Sequence, residues 1–123
     1  MNYYLSAAGA VSLIIAFIHV FAGGPSIATP MRNSPNLSPV VRQTNYYCWH
    51  LVTINLLLLA AVFLWASTTP SAWELALIGT ITASGYCLWG FFLVTSTRQS
   101  FLHMPQAFMF LPVAVLGALG MTL

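Results

Sequence analysis

Three histidines are the residues of this chain best suited to chemistry: His19, His50 and His103. Imidazole is the commonest metal-binding side chain. The three lie on or beside three different apolar stretches. Brought together, they could hold Zn, Cu or Fe with one position open for water or substrate. Two of them could instead ligate a haem between helices. Cys48 and Met104 are close in sequence, and thiolate and thioether suit softer metals. Cys48 and His50 are two residues apart, however, so on a helix they point to nearly opposite sides. His50 shares its face with Tyr46 and Thr53. Tyr46, Thr53 and Gln106 are candidates to hold the outer nitrogens of such a cluster. Asn55 reads first as an interhelical hydrogen bond and second as a polar cavity lining.

Other chemistries lack their parts. The chain has no Asp, and Glu74 is its one acid. No carboxylate pair or Ser–His–acid set can be assembled. No Gly-rich phosphate loop precedes a helix. Three Arg and no Lys make no basic patch, which excludes nucleic acid as a partner. Of 123 residues, 59% are hydrophobic and 3% are charged. A soluble domain carries about 25% charged residues, so four charges cannot clothe a soluble surface. Disordered chains are poor in apolar residues. The class that remains is integral membrane protein.

Four apolar spans are predicted, at about 5–22, 46–66, 73–94 and 105–123. A helix needs about 20 residues to cross a hydrocarbon core of about 30 Å. The runs do not alternate with period two, so they read as helices and not as barrel strands. Met1-Asn2-Tyr3-Tyr4 has no basic residues, so the first stretch is counted as a span and not as a cleaved signal. The chain reads as a single domain, 1–123. The fold class is all-α, an integral membrane four-helix up-down-up-down bundle. Between Gly24 and Asn45, four prolines predict an irregular connection. Ser38-Pro39 reads as a cap and first helical residue, so the second helix could begin near Pro39. Pro112 should bend the fourth helix.

Arg32, Arg42 and Arg98 all fall on one side of this topology, the cytoplasmic side by the positive-inside rule. Both termini then lie on the non-cytoplasmic side, and the three His approach the cytoplasmic face. At a rise of about 1.5 Å per residue, His19 and His50 should sit roughly 5 Å inside the boundary. Cys87 should lie about 9 Å deeper than Cys48, too far for a disulfide. Small residues are expected to glue the helices. They are Ala8, Ser12, Ala16 and Gly23 on the first, Ala76, Thr80, Ser84 and Cys87 with Gly79, Ala83 and Gly90 on the third, and Ala107, Ala114 and Gly117 on the fourth.

Ile18-His19, then Gly23-Gly24, then the Pro-rich connection, then Cys48-Trp49-His50-Leu51-Val52-Thr53 form a recognisable order. With Pro105-Gln106 through Gly117 and Gly120, the chain resembles a group of small bacterial four-span membrane proteins of unknown function. Members carry a His ending helix one and a Trp-His-Leu-x-Thr-like run opening helix two. The resemblance implies the fold and a bacterial inner membrane, but no activity. Gly24 stands where the group has an acidic residue, so an acidic ligand there would be missing. The leading expectation is a small integral membrane protein that binds a metal ion or haem through His19, His50 and His103. The alternative is a non-catalytic accessory or assembly subunit of a larger membrane complex. A small transporter acting as an oligomer ranks third, because the spans hold no Glu of the kind a proton-coupled carrier uses.

Overall fold

The computed structural model describes residues 1–122, and those residues form helices, turns and no strands. Helix α1 runs Tyr3–Phe17, continues with π winding through Ile18–Ala28, and ends as the single turn α2, Thr29–Arg32. Helix α3 is Pro39–Thr68. A short 3₁₀ turn, Pro70–Ala72, leads into α4, Trp73–Ser96. Helix α5 is Gln106–Thr122. Three continuous rods are long and apolar enough to cross a membrane: Tyr3–Arg32, Pro39–Thr68 and Pro70–Ser96. The 17 residues of α5 reach about 26 Å, just short of a hydrocarbon core. The last residue of the expected fourth span, Leu123, lies outside the described residues.

Each rod packs against its neighbour in the chain, and α5 closes the ring against α1. The connection expected to be irregular from Gly24 is helical as far as Arg32. Proline at Pro25 removes one backbone donor and brings its ring against the carbonyl four residues back. The segment around it takes the π register, which bonds five residues apart, as Thr29 N–H to the Gly24 carbonyl shows. Pro30 stands in α2, which continues the π segment without a break. The irregular stretch is thereby reduced to 33–38. Ser38 does cap α3, its Oγ accepting from Val41 N–H at 3.4 Å, with Pro39 first in the helix.

The seams are made of small residues. Ala8, Ser12 and Ala16 are buried on α1, Gly79, Ala83 and Gly90 on α4, and Ala107 and Gly117 on α5. Phe63 of α3 fills the middle and is fully buried. It lies against Gly79 and Gly117, where a Cβ would meet its ring. At Gly90 a Cβ would come within 3.0 Å of the Ala107 backbone. Buried hydroxyls turn back on their own helices: Ser12 to the Ala8 carbonyl at 2.8 Å and Thr80 to the Ala76 carbonyl at 2.7 Å. Cys48 and Cys87 are free thiols, one exposed and one buried.

Both ends are tied. At the terminal end, Asn2 caps α1 through its Oδ1 on Leu5 N–H, 3.1 Å. Its Nδ2 donates to the Gly120 carbonyl at 2.6 Å, and its backbone N–H donates to the Ser67 carbonyl at 2.7 Å. At the opposite end, α4 stops in a Schellman turn. Gln99 N–H bonds the Val94 carbonyl and Arg98 N–H bonds the Thr95 carbonyl. Arg98 takes φ 55° there, the left-handed conformation that glycine adopts freely.

Two glycines on α4 should therefore respond in opposite ways. Gly90→Ala forces α4 and α5 apart and should cost about 1–3 kcal/mol. Gly85 has open space around its Cβ position, so Gly85→Ala should be neutral or gain up to about 1 kcal/mol of helix propensity. Thermal melts of both variants in detergent check this, and equal losses would disprove the seam.

Candidate functional site

The Arg-bearing end of the bundle holds a cavity of about 250 Å³ between the π segment, α3 and the start of α5. His19, Trp49, His103 and Gln106 supply its polar and aromatic groups. Ile15, Ile18, Ile27, Leu56, Met109 and Phe110 are among the apolar residues that complete the wall.

His19 is held most firmly. Its ring stacks on the indole of Trp49, with centroids 4.0 Å apart and planes 16° from parallel. Its Nε2 lies 3.3 Å from the Trp49 carbonyl oxygen. The same carbonyl accepts the Thr53 hydroxyl at 3.2 Å. Gly23 makes room for the stack, because a Cβ there would stand 2.9 Å from the Trp49 ring. Both His19 and Gly23 lie within the π segment, and both meet Trp49 of α3. Trp49 thus builds the site, although the sequence marks it only as the residue before His50 in the Trp-His-Leu-x-Thr-like run.

His103 reaches the cavity from the connection before α5. A turn about Ser100 sets its backbone, with His103 N–H and Met104 N–H both bonded to the Ser100 carbonyl at 3.0 Å. Phe101 anchors that turn by packing on Phe91 and Phe108, with centroids 5.5 and 5.2 Å away. Gln106 follows in the first turn of α5.

His50 does not join them. It follows Trp49 by one residue, so helical geometry turns it about 100° away. It is exposed and stands edge-on to Tyr46, centroids 4.6 Å apart and planes at 89°. The Arg32 guanidinium covers the Tyr46 ring at 4.4 Å, a cation–π contact. Tyr46 therefore serves Arg32 and His50, not the cavity. Among the described residues, no three His, Cys, Asp or Glu side chains gather as a metal-holding set. Of the three expected imidazoles, His19 and His103 line this cavity and His50 does not. A haem is also a poor fit, since pockets for molecules of drug size run from about 300 to 1,000 Å³.

Asn55 takes the structural role. Its Oδ1 accepts the Tyr86 hydroxyl at 2.6 Å and joins α3 to α4. Tyr86 lines a second cavity of about 270 Å³, together with Trp89, Leu93 and Met104. Val52, Gln106 and Phe110 border both cavities. The Phe110 ring packs on Tyr86 with centroids 5.0 Å apart, forming the partition between the two spaces.

No protein-family model, curated protein or solved structure matches the chain.

The stack depends on a residue without a side chain. Gly23→Ala should displace the Trp49 indole, shift its fluorescence and cost about 1–3 kcal/mol by overpacking. Gly24→Ala, one residue on with nothing within 4 Å of its Cβ position, should leave both quantities unchanged. Emission spectra and melts of the two variants decide it.

Proposed function

We propose that this chain is a small membrane-embedded binding protein whose ligand is a compact, ring-bearing molecule taken up from the lipid phase. The observation that carries the reading is the convergence of His19, Trp49, His103 and Gln106, from three separate parts of the chain, on one largely apolar cavity. Ligand sites in proteins have this make-up: apolar walls with a few placed polar groups. An engineered apolar cavity of about 150 Å³ holds benzene, so about 250 Å³ gives room for one substituted ring. Trp49 and Phe110 contribute aromatic surface to its wall.

The metal reading rests on two imidazoles, with no third ligand of the usual kind gathered to them among the described residues, and ranks behind. The accessory-subunit reading needs small residues open to a partner, whereas the seam residues are buried within the bundle. Transport would use Asn55, Thr80 or Ser84, and Asn55 and Thr80 are engaged in hydrogen bonds. Under this proposal the three Arg face the cytoplasm of a bacterial cell and the cavity opens near the cytoplasmic boundary.

Bromobenzene quenching tests the proposal directly. A variant that keeps Trp49 alone, with Trp65, Trp73 and Trp89 replaced by Phe, is placed in lipid nanodiscs. Its emission should fall saturably as bromobenzene is added. Quenching that rises linearly, as simple partitioning into lipid would give, overturns the proposal.

A further inference from the structure

We infer that the cavity selects a ligand that donates a hydrogen bond, a phenolic hydroxyl on a lipid-soluble ring, and that the acceptor is Nδ1 of His19. The inference rests on the binding proposal above and names the chemical class of its ligand.

The tautomer of His19 follows from its partner. Nε2 lies 3.3 Å from the Trp49 carbonyl oxygen. A carbonyl oxygen only accepts, so the proton of that bond belongs to Nε2. A neutral imidazole carries one N–H, which leaves Nδ1 as a bare lone pair. Stacking on Trp49 at 4.0 Å fixes the plane of the ring and therefore the direction of that lone pair. Among the described residues, no protein donor is bonded to Nδ1, since the Trp49 carbonyl is the partner that His19 has. Every fully buried polar side-chain atom among the described residues does have a partner. Nδ1 is thus a directed acceptor, on a half-buried ring at the edge of an apolar space.

The shape of the space selects the rest of the ligand. An aliphatic alcohol would satisfy Nδ1 but leave the aromatic walls of Trp49 and Phe110 poorly matched. A phenol offers a ring to this aromatic lining and an O–H donor, more acidic than an aliphatic alcohol's, to the Nδ1 lone pair. A ketone or ether of the same shape presents a second acceptor to Nδ1 and is disfavoured. Rejection of the analogue that lacks the donor is the stronger discrimination, because it leaves a polar group unpaired in apolar surroundings.

The test compares 4-fluorophenol with 4-fluoroanisole, which differ by methylation of the oxygen, using fluorine NMR on the protein in nanodiscs, with empty nanodiscs subtracted. The phenol should bind saturably and about tenfold more tightly than the ether, as expected for one hydrogen bond. That preference should vanish in His19→Leu and persist in His50→Ala. Equal binding of phenol and ether overturns the donor assignment while leaving a ring-binding site. Binding of neither overturns the cavity as a ligand site altogether. Nitrogen-15 spectra of histidine-labelled wild type give a second measurement that needs no variant. Nδ1 of His19 should be unprotonated, and its resonance should move when 4-fluorophenol is added. A protonated Nδ1, or a resonance indifferent to saturating phenol, overturns the inference.

Discussion

Lipid gives no hydrophobic reward for bringing two helices together, so this bundle depends on how closely its backbones approach. Gly90 on Ala107, and Gly79 and Gly117 on the Phe63 ring, are where that approach happens. One large side chain set among small ones lets three helices share a single contact. Dispersion grows with the number of atoms at the right separation, and here backbone atoms supply many of them. Toward the Arg-bearing end the rule reverses. Trp49, Phe110 and Tyr86 stand between the helices, and cavities open beside them. The middle of the bundle is close-packed around Phe63, and cavities open toward both ends, beside Trp49 and Phe110 at one and beside Asn2 and Trp73 at the other.

The Arg-bearing end is organised by backbone as much as by side chains. His19 and Gly23 of the π segment meet Trp49 of α3, and the Trp49 carbonyl gathers His19 and Thr53. A longer side chain at position 23 would remove the indole's place. The site is thus built from a register change, a missing side chain and one carbonyl oxygen. None of these three looks like functional chemistry when read as a letter.

Much of the fold was legible because composition leaves few choices: a chain with four charges must satisfy its backbone internally. The Ser38-Pro39 helix start was legible from local capping chemistry alone. So was the need of Asn55 for a partner, although the sequence did not point to Tyr86, 31 residues away. The helical run through Pro25 was hidden, because prolines at that density usually signal loop and π winding has no sequence pattern of its own. The grouping of the histidines was half legible. Their shared end followed from topology. Which of Trp49 and His50 faces inward did not, since in a membrane helix the outer and inner faces are both apolar and no polar face marks the outside.

Asn2 joins the first turn of α1 to the carbonyl of Gly120 and to that of Ser67. The first of these bonds spans nearly the whole chain. Membrane helices enter the bilayer in order of synthesis, so during most of that process the amide of Asn2 has no carbonyl of α5 to meet. The ring of helices becomes a closed object only when α5 arrives and Asn2 finds the Gly120 carbonyl. Until then the seam on α1 is open to any other helix nearby.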